Sequence, residues 1–210
     1  SRERPMFTDT HCHLDAAEFA TDRAEVAAAA QAAGVTRIIV PAVDRASFSS
    51  VTNVCRTYPF CRPAYGIHPL FVSAAQPEDL AALREILGSG EAIAVGEIGL
   101  DHFVTPRDEL RQEEFFIEQL RIAHAFDLPV ILHVRRAIDA VLKQLRRIPQ
   151  RAGIAHAFNG SRQQADEFIK LGFKLGFGGA MTFPRATRIR ELAATLPLES
   201  LVLETDAPDI

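Results

Sequence analysis

The stretch Phe7-Thr8-Asp9-Thr10-His11-Cys12-His13 decides the fold. It starts as a strand and ends, at the first turn, on a pair of histidines. A dinucleotide-binding open sheet would carry GxGxxG at that turn. Working outward, further strand-like runs occupy residues 37–41, 64–68, 93–97, 130–133, 153–157, 173–178 and 201–205, after the first at 7–11. Each is short, largely apolar or β-branched, and bounded by Gly, Pro, Asn or Asp. Near-continuous hydrophobicity of this kind suits parallel strands covered on both faces.

Helical patterns fill the gaps. Thr21 is placed to cap a helix ending at Gly34, and further helices fall near residues 46–57, 78–87, 136–147 and 185–194. Thr105-Pro106 with Asp108 reads as an N-cap, a Pro at N1 and an acidic N3, with Leu110, Ile117 and Leu120 on one face. Ser161 with Gln164 is a capping box whose helix ends at Gly172. Eight strands therefore alternate with seven helices. Strict alternation implies right-handed crossovers between parallel strands. Eight strands close a TIM-type (β/α)8 barrel, ordinarily about 250 residues long; an open doubly wound sheet is the alternative. The sequence ends at Ile210 just past the last strand, so the expected barrel lacks its eighth helix. Leu201, Val202 and Leu203 would then show apolar surface unless a partner chain covers them. Residues 1–5 are expected to be an extension outside the fold, and 6–210 one metal-dependent hydrolase barrel domain, C-terminally incomplete.

Composition bounds the function. The 210 residues are 48% hydrophobic and 24% charged, which excludes a disordered chain, a fibre and a disulfide scaffold. No apolar stretch is long enough to cross a bilayer as a helix. The net charge of −4 is wrong for tight sequence-independent DNA binding, so contact with nucleic acid should be local and transient. Cys12, Cys55 and Cys61 form no CxxC pair, as expected of reduced thiols in the cytoplasm. The first residues carry no apolar signal-peptide core.

Barrel enzymes carry their chemistry at the C-terminal ends of the strands. Those ends read His11, His13, His68, Glu97, His133, His156 and Asp206, and take in five of the seven histidines. On an extended chain His11 and His13 point the same way and Cys12 the other. A carboxylate at the end of an apolar strand is costly unless paired or metal-bound, so Glu97 is either a ligand or the partner of Arg135. Asp206, on the strand that neighbours the first, should approach His11 and His13. Four imidazoles and two carboxylates suit divalent ions of Zn, Mn, Ni, Fe or Mg type and exceed one open tetrahedral site. Two divalent metal ions sharing Glu97 account for the set, and such a pair, about 3.5–4 Å apart, can hold a hydroxide and clamp a phosphoryl group.

His11-Cys12-His13-Leu14-Asp15, Gly66-Ile67-His68-Pro69, Gly96-Glu97-Ile98-Gly99-Leu100-Asp101, Pro129-Val130-Ile131-Leu132-His133, His156-Ala157-Phe158-Asn159-Gly160-Ser161 and Glu204-Thr205-Asp206-Ala207-Pro208 together resemble the TatD family of metal-dependent deoxyribonucleases, in the amidohydrolase superfamily. The stretch 196–210 is similar to its YjjV-like subgroup, and the matches run in order from residue 8 to 209. The resemblance implies a (β/α)8 barrel and hydrolysis of DNA phosphodiesters, often 3′-5′. It implies His11, His13, Glu97, His133, His156 and Asp206 as ligands of two ions, with His68 near the substrate phosphate and Arg135 lining the site. His102 stands where the family commonly has an aromatic residue, so the rim that contacts substrate should differ.

On that basis a metal-bound hydroxide attacks the phosphodiester of a transiently bound DNA substrate. Asp206 orients the water and takes its proton, Glu97 bridges, and His68 with Arg135 stabilises phosphoryl charge. A second reading keeps the metals and cleaves the ester of a D-aminoacyl-tRNA. A third is a binding barrel without turnover. Among other residues, His124 is expected to pack on its helix, His102 to touch the rim or only solvent, and Arg136 and Arg162 to meet phosphates. Arg146-Arg147 reads as a solvated pair at a helix end. Phe158 and Phe183 are placed either to stack a base or to fill the core.

Overall fold

The protein is described by a computed structural model over residues 6–178 and 186–208. Its strands are β1 (Phe7–Asp9), β2 (Val35–Pro41), β3 (Cys61–Tyr65), β4 (Ala94–Asp101), β5 (Val130–Arg135), β6 (Gly153–Ala155), β7 (Phe173–Phe177) and β8 (Leu201–Leu203). Between them run α1 (Arg23–Ala32), α2 (Phe48–Thr57), α3 (Pro77–Leu87), α4 (Glu109–Ala125), α5 (Ile138–Arg147), α6 (Arg162–Lys170) and α7 (Thr187–Thr195). All strand neighbours are parallel and follow chain order from β1 to β8. Among the described residues this is the expected barrel with seven α-helices.

The barrel is nearly closed: where β1 and β8 end, the chain is joined across by backbone and one carboxylate. The N–H groups of Thr10 and Asp206 donate to Leu203 O (3.0 Å) and His11 O (2.8 Å). Asp9 Oδ1 accepts from the Thr205 and His11 N–H groups, each at 3.1 Å, and Asp9 Oδ2 from the Thr205 hydroxyl at 2.7 Å. Helix-facing residues such as Val40, Leu100, Leu132 and Leu175 pack with Phe48, Phe116 and Phe168 in the main core. Alternate residues Ile39, Ala64, Ala94 and Ile131 form a small separate cluster inside the barrel. Leu203 is 53% exposed, as expected of an edge that no helix covers among the described residues.

Several boundaries differ from expectation. β4 runs on to Asp101, so Glu97 sits mid-strand rather than at its end. The apolar alternation of Ile98 and Leu100 sustains the strand, every residue of which is buried. β1, β3, β6 and β8 end earlier than expected, so His11, His13, His68, His156 and Asp206 lie just beyond their strands. Thr21 does not cap α1: Arg23 reaches back to Leu14 O (2.8 Å) and Ala16 O (3.1 Å), and the helix begins there. Asp108, not Thr105, caps α4, accepting from Arg111 N–H at 3.0 Å. Leu110 is consequently outside the buried face, which is formed by Phe116, Leu120 and Ala123. The Ser161–Gln164 capping box forms as expected.

Candidate metal centre

The strand ends deliver one cluster. His11 and His13 turn their Nε2 atoms together, 3.1 Å apart, while Cys12 packs in the core. Glu97 enters from β4 with its two oxygens facing different neighbours. Oε1 lies 3.2 Å from His11 Nε2 and 3.6 Å from His13 Nε2. Oε2 lies 3.2 Å from His133 Nδ1, 3.6 Å from His68 Nε2 and 3.9 Å from His156 Nε2. Asp206 closes the group, with Oδ1 at 3.4 Å from both His11 Nε2 and His13 Nε2, and Oδ2 at 3.5 Å from His156 Nε2. All six expected ligands are therefore brought to one spot, and His68 joins them.

Outer partners aim most of these rings. His13 Nδ1 meets Pro41 O at 3.2 Å, which leaves its Nε2 lone pair inward. His156 Nδ1 lies 2.9 Å from Glu204 Oε2, which also leaves Nε2 inward. His133 is turned over: its Nε2 meets Asp101 Oδ2 at 2.8 Å, so Nδ1 faces Glu97. Inward lone pairs on imidazoles beside buried carboxylates are what a divalent ion needs, since protonated rings cannot ligate. The donor atoms of His11, Glu97 and His156, and those of His11, His13 and Asp206, each lie within 4.8 Å of one another. The residues present thus fit divalent metal.

His68 also falls in such a group with Glu97 and His133, but its tautomer argues against ligation. His68 caps the short 3-10 turn Pro69–Phe71, and its Nδ1 accepts from Leu70 N–H at 3.1 Å. A neutral ring accepting at Nδ1 carries its proton on Nε2, which therefore donates rather than binds metal. Burial holds its pKa down at about 3, so the ring stays neutral.

The charges are tightly coupled. Burial would raise the Glu97 pKa, but the surrounding histidines outweigh it and hold the carboxyl well below its usual range. Asp206 is likewise lowered, with burial outweighed by His13 and His156. Burial lowers and the carboxylates raise His13 and His156: His13 ends at about 9, and His156 well above its ordinary value. His11, wholly buried, is pushed down by that burial.

Helix α4 holds the surrounding backbone, which the sequence reading missed. Gln112 donates to Asp101 O (3.0 Å) and accepts from Asp101 N–H (2.8 Å). Gln119 grips Ile67 in the same way, at 3.1 and 2.7 Å, immediately before His68. The signal available was two glutamines seven apart, on one helical face, among apolar residues. Asp101 and Glu204 were visible only as members of motifs. Left-handed backbone at Arg136, Ala157 and Asp206 (φ 52°, 46° and 54°) lies at or beside three of the delivering strand ends, where such strain commonly clusters.

The cluster opens on a cleft of about 1380 Å³ lined by His13, His68, His102, Arg135, Arg188 and Asp206, among others. Arg135 is exposed and lies over the Phe103 ring at 3.7 Å, so it is not the partner of Glu97. Arg136 approaches the same ring at 4.7 Å. His102 is on the rim and donates its N–H to Arg135 O at 2.8 Å. Of the two places open to Phe158 it takes the core, buried against Phe168 and Phe177. Two other expectations are corrected. Arg162 pairs with Asp166 at 3.3 Å on the surface and is absent from the cleft lining. His124 is exposed and meets Pro149 O at 3.0 Å instead of packing. Phe183 lies outside the described residues.

Comparison with known proteins points the same way. A family model described as TatD related DNase matches residues 8–210. The chain is 44% identical over 208 residues to the uncharacterized metal-dependent hydrolase YjjV of Escherichia coli K12, covering 97% of this chain and 80% of that protein. It is 33% identical over 204 residues to a Pantoea protein named 3′-5′ ssDNA/RNA exonuclease TatD, covering 95% and 78%. The crystal structure of E. coli K12 YjjV, a TatD homologue, superposes with a TM-score of 0.92 at 42% identity, over 97% of this chain and 80% of that one.

Proposed function

The chain belongs to the TatD-related DNase family and is a metal-dependent hydrolase, and from that premise we propose that it cleaves phosphodiester bonds of DNA, working 3′-5′, with two divalent ions. His11, His13, Glu97, His133, His156 and Asp206 would hold them. The observation that carries the reading is the division of Glu97: one oxygen addresses His11 and His13, the other His133, His156 and the proton-bearing His68. A carboxylate split between two sets of imidazoles suits a bridge better than one ion would. The Pantoea relative's name supports nucleic acid as substrate. So does a cleft larger than the roughly 300–1000 Å³ of small-molecule pockets, with Arg135, Arg136 and Arg188 along its walls.

The ions, when bound, would supply Lewis-acid stabilisation of phosphoryl oxygens and acidify water near neutrality. The chain's own residues do the rest. Asp206 has the most exposed carboxylate of the cluster at 17% and faces the cleft, so its Oδ atoms would orient the attacking water and accept its proton. His68, whose Nε2 proton faces His133 Nδ1 at 3.1 Å, would turn it to a non-bridging phosphoryl oxygen once His133 Nδ1 holds an ion, as a neutral donor and not as a general acid. Arg135 and Arg136, held on Phe103, neutralise phosphate charge at the rim.

Asp206→Asn tests this. It should keep the fold and lose hydrolysis of end-labelled single-stranded DNA; near-normal turnover with added Mg²⁺ or Mn²⁺ would refute the role. If the unaltered protein turned over D-aminoacyl-tRNA and left DNA intact, the bond cleaved would be an acyl ester instead.

A further inference from the structure

His133 differs from His13 and His156 in the nitrogen it turns inward, and a buried carboxylate stands behind that difference. We propose that Asp101 is a positioning residue: it fixes His133 as the Nε2–H tautomer, presents Nδ1 to the ions, and ties that choice to the rim loop 102–104. The proposal rests on the paired-ion reading above.

Asp101 is fully buried at the end of β4, and each of its oxygens has separate work. Oδ2 faces His133 Nε2 at 2.8 Å. Oδ1 accepts from Phe103 N–H (3.0 Å) and Val104 N–H (3.1 Å). An acceptor-only carboxylate so close to an imidazole nitrogen demands a proton on that nitrogen. The other nitrogen of a neutral ring must then be a lone pair, and here it faces the protonated His68 Nε2 at 3.1 Å, with Glu97 Oε2 3.2 Å away. The reversed ring follows from topology. β5 is the direct neighbour of β4, with His133 paired to Gly99, so the nitrogen nearer the Cβ is the one that reaches Glu97.

The Phe103 and Val104 N–H groups hold the carboxylate itself, and Gln112 grips the Asp101 backbone on both sides, fixing the strand end that carries it. The same residue therefore joins three things: the ring that faces the ions, the α4 scaffold, and the loop bearing Phe103, on which Arg135 and Arg136 rest. A carboxylate behind a ligating histidine both orients the ring and raises its basicity.

Asp101→Asn changes this with almost no change in volume. The side-chain oxygen remains needed by the Phe103 and Val104 N–H groups, so the amide NH₂ turns toward His133. His133 Nε2 must then accept, its proton moves to Nδ1, and that proton occupies the position an ion needs.

The decisive measurement is nitrogen-15 NMR of the full chain, labelled at histidine and loaded with Zn²⁺, with His133→Gln used for assignment. The retained ring proton of His133 should be on Nε2; a proton on Nδ1 overturns the proposal and needs no variant. In a second arm, Asp101→Asn should bind one Zn²⁺ about 10–100-fold more weakly, with the other ion unaffected. Uptake of both ions within twofold of the unaltered protein would overturn the assignment. Failure of the unaltered protein to take up two ions would sink the paired-ion reading itself, a result distinct from two ions bound and an indifferent Asp101→Asn.

Discussion

Replacing Gly99 with alanine would strike the strand that carries both Glu97 and Asp101. Gly99 has φ +149°, and a Cβ there would lie 1.9 Å from His133 O and 2.9 Å from His133 C. Real Cβ atoms keep at least 3.0 Å from such neighbours, so β4 and β5 must part by roughly 1 Å where strands normally stand about 4.8 Å apart. Two costs add. The left-handed-side backbone costs an L-residue about 1–3 kcal/mol, and forcing an atom into a packed neighbour costs about 1–3 kcal/mol more. The sum, about 2–6 kcal/mol, is a large share of the roughly 5–15 kcal/mol by which domains are stable. Gly172→Ala is the control: it also has positive φ (+84°), but its Cβ would meet nothing within 4 Å, so only the backbone cost applies. Urea unfolding followed by circular dichroism gives both numbers, and metal content of the folded fraction reports on the site. Gly99→Ala within 0.5 kcal/mol of the unaltered protein, or no worse than Gly172→Ala, would refute the reasoning.

Other expectations follow from the same geometry. His68→Ala should lower kcat about 10²–10³-fold with metal content unchanged, as for loss of one oxyanion donor; loss of an ion would make His68 a ligand instead. His13, raised from 6.5 to about 9, stabilises the metal-stripped protein fully below pH 6.5 and loses that contribution as pH rises through about 9. The proton must leave for an ion to bind, so metal affinity should rise across that window, with proton release seen by calorimetry in buffers of different ionisation enthalpy; affinity flat with pH would contradict this. Thr205→Val removes the hydroxyl that donates to Asp9 Oδ2 and should cost about 1–3 kcal/mol near neutrality. Burial raises the Asp9 pKa, so acidification protonates that carboxyl in the fold and the cost should shrink; an equal cost at pH 7 and pH 4 would contradict it.

The order of strands and the residues of the cluster were legible because both are written locally. Short apolar runs ending in His or Asp show the strand ends, and a parallel barrel gathers those ends at one mouth. What the chain does between the ends was not legible. Glu97 lies mid-strand, because Ile98, Leu100 and their β5 partners prolong β4 past the glycines that suggested an end. The start of α1 moved because Arg23 binds the carbonyls of Leu14 and Ala16, and that of α4 because Asp108, directly before the helix, takes the cap in place of Thr105. The role of Arg135 was half readable: its place at the rim follows from topology, but its stacking on Phe103 depends on a loop conformation set by Asp101. Gln112 and Gln119 escaped notice because a polar residue on a helix face carries no mark of the backbone groups it will meet.

The central claim, two ions bridged by Glu97, is tested most directly by anomalous diffraction from crystals grown with Mn²⁺, alongside elemental analysis of the same protein. The account predicts two peaks flanking the Glu97 carboxylate, one on the side of His11 and His13 and the other on the side of His133. A lone peak at full occupancy, or peaks away from Glu97, would contradict it.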